Sequence, residues 1–361
     1  MRAIELHELE ALAIGAGILG TGGGNHPHLE LLCARAAYAA GKRAQLLAPE
    51  ELQDDMRIAV LAFMGAPLVT KERLPEPISA CRAVRLMERH TERKFDAVMS
   101  VEIGGENAFL PLLVGMELDL PVVDADAMGR AFPEAQMASF AIRGLDVYPF
   151  ALADIRDNEV LIAKAENALW TERLGRKAAI ELGSIAGTCA APRSGAEVKA
   201  HGILGSTSRA IRLGDIVLDA RRRHEDAVAA ILAAGDGALL LRGKVIDVSR
   251  RTTDGFVRGK VRIAGEGRTL DIDFQNEFSV ARLDGEIIAC VPDLITVLDA
   301  ETTEAIGTEV IRYGQRVAVV ALPADPIMTS PEGLHTVGPR AFGFDFDYRP
   351  FARRGHAGVP S

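Results

Sequence analysis

Residues 98–134, VMSVEIGGENAFLPLLVGMELDLPVVDADAMGRAFPE, constrain the fold of this chain more than any other stretch. They contain two apolar runs, 97–101 and 120–123, each too short for a helix and each broken abruptly by glycines and acids. Short buried strands of this kind belong to open α/β sheets, and ligands sit at the carboxyl ends of such strands. The first run breaks into Glu102, Gly104, Gly105, Glu106 and Asn107, the second into Asp124, Asp126, Gly129 and Arg130. Two adjacent strand ends would then aim several carboxylates at one crevice. Ordinary strand-to-helix turns are the competing explanation, with Glu106 and Asn107 as helix caps and Asp124 opening a turn. One cap accounts for one polar residue, however, and not for five.

The flanking segments alternate in the same manner. Residues 8–19 carry apolar side chains at helical spacing and stop at Gly20-Thr21-Gly22-Gly23-Gly24-Asn25. Glycines there allow close backbone approach. Asn25 or His26 can cap a second helix that Pro27 begins and residues 29–40 continue. Free backbone N–H groups and a helix dipole make the loop a site for a small polar or anionic substrate, with a structural hinge as the alternative. The loop lacks the spacing of a dinucleotide fingerprint and the lysine of a P-loop. His26 and His28 are candidate ligands for a divalent metal, with Asp124 or Glu102 completing the set. The same pair also reads as a capping residue and a helix residue, and no His-Glu-x-x-His pattern accompanies it. Strands are expected at 44–48 and 58–64 and a long helix at 75–94. Lys71 and Glu72 stand at another carboxyl end, where an exposed ion pair explains them better than a place lining the same crevice.

Together these segments predict a three-layer α/β domain with a mostly parallel sheet over residues 1–165. The character then changes. Residues 154–163 read as strand, turn and strand, 168–183 mix a helical charge pattern with a strand, and 203–223 read as a helix begun near Ser206 or Thr207. From Leu239 onward alternating strands and glycine turns dominate, with hairpin signals at Asp254-Gly255 and Asp284-Gly285. The expectation for 166–361 is a β-rich domain, a barrel or sandwich, whose final tail packs rather than trails. Gln275-Asn276-Glu277 and Pro292-Asp293 interrupt apolar runs and can reach an interdomain crevice, or simply face water from an antiparallel sheet.

A length of 361 residues, 48% hydrophobic, is enough for two cores, and the net charge of −9 disfavours a nucleic acid or anionic membrane partner. Four scattered cysteines, Cys33, Cys81, Cys189 and Cys290, suggest neither a disulfide framework nor a thiolate zinc site. With no targeting signal and no apolar run of about 18 residues, a cytoplasmic setting is expected. A two-fold homo-oligomer is expected on general grounds.

The motifs GTGGGN (20–25), EIGGEN (102–107), VDADAMGRAFPE (123–134), RGKVIDVSR (242–250), GFVRGKV (255–261), FQNE (274–277), PDLI (292–295), RYGQRV (312–317) and GPRAFGFD (338–345) occur in one order along nearly the whole chain. In this the chain resembles the DUF917 family, described as S-methyl-thiohydantoin desulfurase-like. The resemblance implies an α/β N-terminal domain and a β-rich C-terminal domain. It also implies hydrolytic removal of a thiol from an S-methylated thiohydantoin ring to leave a hydantoin, and an association with hydantoinase and oxoprolinase systems.

Such a reaction needs an activated water, a donor that stabilises charge on the ring, and a proton for the leaving sulfur. Asp124 or Asp126 would activate water, alone or through a metal. Glu102 or Glu106 would hold ring N–H groups or protonate the leaving group. The amides of Gly22, Gly23 and Gly24, together with Asn25 and Arg130, would bind the ring carbonyl or a substrate carboxylate, and Asn107 would orient the ring. A non-catalytic partner of a hydantoinase-type enzyme and a phosphate-ligand binding protein are the other classes.

Overall fold

The computed structural model describes residues 1–24, 27–65, 69, 77–253 and 256–351. Asn25, His26, Lys71, Glu72 and the Asp254-Gly255 turn lie outside the described residues.

Through residue 204 the strands are β1 (Arg2–Ala3), β2 (Gln45–Leu47), β3 (Arg57–Gly65), β4 (Ala97–Ser100), β5 (Val122–Val123), β6 (Ala125–Asp126), β7 (Phe150–Ala153), β8 (Glu159–Ile162), β9 (Ile185–Cys189), β10 (Arg193–Ser194) and β11 (Ile203–Leu204). The first sheet runs β1-β2-β5-β4-β3-β9-β7-β8, with β10 beside β3, while β6 and β11 form a separate pair. Its parallel part is β2-β5-β4-β3, and β9, β7 and β8 extend it antiparallel. The short apolar runs form strands because both faces are covered. Along β3, Ala59 and Leu61 enter one core, and Ile58 and Val60 the opposite one. This period of two is what a strand between two helical layers requires.

The helices include α1 (Leu6–Leu19), α2 (His28–Ala39), α3 (Pro77–Thr91), α4 (Leu110–Leu118), α5 (Ala168–Glu181) and α6 (Ser206–Arg223). The first four pack on one face and α5 on the other. Residues 168–181 are helical throughout, because Asn167 caps the start by accepting from Trp170 N and the amphipathic run continues to Glu181. No strand interrupts them. The helix over the 203–223 region begins at Ser206, after the two-residue β11. Helices α1 and α6 cross at backbone contact: a Cβ on Gly15 would lie 1.8 Å from Ala210 O, and one on Gly214 1.8 Å from Ala11 O.

The second sheet is antiparallel and comprises β12 (Ala238–Thr253), β13 (Phe256–Gly265), β14 (Arg268–Gln275), β15 (Glu277–Leu283), β16 (Glu286–Cys290), β17 (Leu294–Asp299) and β18 (Arg316–Leu322), in the order β16-β15-β14-β13-β12-β18-β17. It curls into a half-barrel in which β15 approaches β17, around Val245, Ile263, Ile272, Phe278, Val297 and Val319. Val337 and Met328 join Met128, Met137 and Phe140 in the core of the first sheet, so the chain after β18 returns to the α/β part. Among the described residues no helix is long and apolar enough to cross a membrane.

Candidate functional site

A partly enclosed cavity of about 130 Å³ lies beside the carboxyl-terminal half of β3 and the segment after β4. One buried water needs about 10–15 Å³ on this scale, so the space suits a small substituted ring. Its floor is apolar, with Val60, Phe63, Met64, Phe132, Phe140 and Phe150. Its polar wall holds Glu102, Glu106, Asn107, Asn276 and Glu277.

Glu102 stands where β4 ends and the chain turns through Ile103 and Gly104. Its Oε1 accepts from Asn107 Nδ2 at 2.6 Å, and its Oε2 from Phe132 N at 3.1 Å. Burial nevertheless pushes its pKa up to about 7, outweighing those donors. Asn107 also accepts from Phe63 N at 2.8 Å. Its amide thus spans from β3 to Glu102 and holds the carboxylate in place while lining the cavity. Glu106 lines the same wall, and its backbone N–H donates to Gly24 O at 2.7 Å.

The glycine loop meets protein on several sides. Gly23 N donates to Gly20 O at 2.9 Å, Thr308 N to Gly22 O and Phe278 N to Thr21 O, both at 2.8 Å. Gly105 has φ of 71°, and a Cβ there would lie 2.0 Å from Gly24 O, so the two glycine turns touch backbone to backbone. Gly24 lines the cavity; Gly22 and Gly23 face the β domain instead.

Three residues expected at the crevice have other work. Asp124 accepts from Ser208 N at 3.0 Å and from Ser208 Oγ at 2.5 Å, capping the first turn of α6. Asp126 is fully buried, and its Oδ2 accepts from Ile103 N at 2.8 Å, Met128 N at 3.2 Å and Gly129 N at 2.7 Å. Burial pushes its pKa up to about 7. The Ser206 hydroxyl is near enough to favour its charge, yet neither Asp126 Oδ1 nor Ser206 Oγ makes a well-formed hydrogen bond. Arg130, only 1% exposed, donates from Nη1 to Pro292 O and Asp293 O at 2.9 Å, from Nη2 to Thr21 Oγ1 at 2.8 Å and from Nε to Ala131 O at 3.0 Å. Its fork joins the two halves of the chain. None of these three lines the cavity.

His28 is exposed at the start of α2. Among the described residues no group of three or more His, Cys, Asp or Glu is placed to hold a metal. The expected set of His26 and His28 with Asp124 or Glu102 includes His26, which lies outside the described residues.

Glu277, read in the sequence as a polar break able to reach an interdomain crevice or to face water, comes from the start of β15 into the cavity wall. Asn276 precedes it with φ of 57°, and its Oδ1 accepts from Val257 N at 2.9 Å. Asp293 instead accepts from Ala324 N at 3.1 Å and Tyr348 Oη at 3.0 Å, fastening the tail. At the cavity's far side, Arg176 pairs with Glu172 at 2.5 Å, and Arg193 lies over the Phe140 ring at 4.9 Å. Composition gave no signal for these last residues, because each is one charged residue among many.

Two family models cover the chain in tandem. Residues 7–164 match the one described as S-Me-THD-like, N-terminal domain, and residues 166–351 the one described as S-Me-THD-like, C-terminal domain. A crystal structure of a protein from Chromobacterium violaceum is similar with a TM-score of 0.81 and 23% identity, over 98% of this chain and 99% of that one. At that identity the likeness concerns the fold. No curated protein gives a significant match.

Proposed function

The chain belongs to the S-methyl-thiohydantoin desulfurase-like family, and from that premise we propose that it is a hydrolase of a hydantoin-like ring, in which water replaces a methylthio group. The observation that carries this reading is the cavity itself, an apolar floor facing a wall of buried carboxyls that includes Glu102. A planar ring can lie on Phe132 and Phe140 while its N–H groups meet Glu106 and its reacting carbon meets a water held by Glu102. A carboxyl with a pKa near 7 is a strong enough base to take a proton from that water and is still half ionised at neutral pH. Asn107 is a positioning residue here, fixing one Glu102 oxygen so that the other lone pairs point at the ligand. Asp124, Asp126 and Arg130 build the scaffold around them.

The test is release of methanethiol from an S-methylated thiohydantoin by the purified protein, followed with a thiol-reactive chromogen. Glu102→Gln should lower kcat about 10²- to 10⁴-fold, the range for a lost general base. The wild-type rate should rise with pH through about 7, as Glu102 ionises. Wild-type protein that releases no thiol would favour the accessory role beside a hydantoinase-type enzyme and end the hydrolase reading.

A further inference from the structure

We infer that Glu277, carried by the β half of the molecule, is the proton donor that works opposite Glu102; the inference rests on the hydrolase reading. Three observations support it. Glu277 is 5% exposed and lines the cavity, and its Oε2 has no hydrogen-bond partner. A buried carboxyl oxygen left without a partner is costly, and a ligand nitrogen or a water in the cavity is what would satisfy it. Glycine is required beside it: a Cβ on Gly23 would stand 2.0 Å from Glu277 Oε1, so the glycine loop admits this carboxyl. Its place on the polar wall beside Glu102 brings two carboxyls from different sheets to one small ligand.

The charged groups around Glu277 divide. Glu102 opposes its ionisation, whereas Arg130 and, more weakly, Arg176 favour it. Burial outweighs both arginines and holds the acid form well above the ordinary carboxylate range. Arg130 makes no hydrogen bond to Glu277 Oε2, and four of its five N–H donors go to Thr21 Oγ1 and three backbone carbonyls. Two like groups with unequal environments thus divide into one base and one acid.

The step balances with these two groups alone. Glu102 takes a proton from water as the C–O bond forms, the C=N π pair moves to the ring nitrogen, and Glu277 protonates that nitrogen. In the second half Glu277, now a carboxylate, removes the new hydroxyl proton as C=O forms. The C–S bond breaks as that C=O forms, and the departing methanethiolate takes the proton held by Glu102. Both side chains end as they began: one hydrogen of water finishes on sulfur, and the other replaces on Glu277 the proton given to nitrogen.

The experiment combines infrared spectra of the full-length protein with kinetics. At neutral pH the wild type should show a protonated-carboxyl C=O band that Glu277→Gln lacks. The same variant should lose about 10²- to 10³-fold in kcat with little change in KM, as removal of a group acting on protons does. Glu277→Asp should recover part of the rate. A wild-type spectrum with no band attributable to Glu277, or a Glu277→Gln variant with wild-type kcat, overturns the inference. Wild-type protein that shows the band but acts on no S-methylated ring overturns the hydrolase reading and the donor role with it.

Discussion

Asp126 shows how a single buried carboxyl can serve structure and still register pH. Its three backbone donors favour the charged form, and burial outweighs them, raising the pKa to about 7. A folded value above the unfolded one means the native state holds the proton more tightly. The stability this group contributes is therefore full below the ordinary aspartate range near 4 and is lost as pH rises through about 7. A shift of that size corresponds to at most about 4 kcal/mol. Asp126→Asn has no charge to bury at any pH, and its amide oxygen can still accept from the turn at Met128 and Gly129. In calorimetric melts at pH 5 and pH 8, the variant should gain on the wild type as pH rises, by about 2–4 kcal/mol. A difference in stability that does not change with pH would show that Asp126 is ionised throughout.

Helix α6 has glycine at its N-cap position, with φ of 73°, and no side chain of its own to satisfy the first turn. Asp124 supplies the acceptor from the strand region next to it, and Gly205 N in turn donates to Asp124 O at 2.7 Å. Asp124→Ala should therefore cost about 1–2 kcal/mol of stability, the worth of a strong N-cap, while thiol release per folded molecule stays within about twofold. Loss of activity without loss of stability would return Asp124 to the reacting centre. This element also shows what could be read from sequence. The alternation of short apolar runs with helices announced the parallel strands, because burial on both faces leaves a visible apolar signature at β3 and β4. The glycines and acids after β4 announced Glu102 and Glu106. Asp124 and Asp126 carry the same local signature, but their partners, Ser208 and Ile103, are set by tertiary contact that no local pattern encodes. Glu277 was legible as a polar break that could face a crevice or water, and the choice between them depends on Gly23, more than 250 residues away in the chain.

At the scale of the whole molecule, the two halves share one interior. A single core cluster runs from Ile4 and Leu12 in the α/β part to Leu294, Val320 and Leu322 in the half-barrel. Strand β9, which follows residue 165, lies between β3 and β7 and bonds both, so the first sheet is incomplete without the second half of the chain. Helix α1 is buried on all sides from Ala11 to Leu19, with α6 supplying one of those sides. Thr296 Oγ1, which donates to Ile18 O at 2.8 Å, ties the end of α1 to β17. A fragment of residues 1–165 would expose two strand edges and the apolar flank of α1, which favours aggregation over folding. Expressed alone, residues 1–165 and 166–361 should each lack a cooperative thermal transition, whereas co-expression should restore one transition together with thiol release. A fragment 1–165 that melts cooperatively by itself would show that β9 and α6 are accessories to the first sheet. It would also mean that the Glu102 wall forms before Glu277 arrives, so the cavity would be assembled by docking two finished domains rather than by folding one shared core.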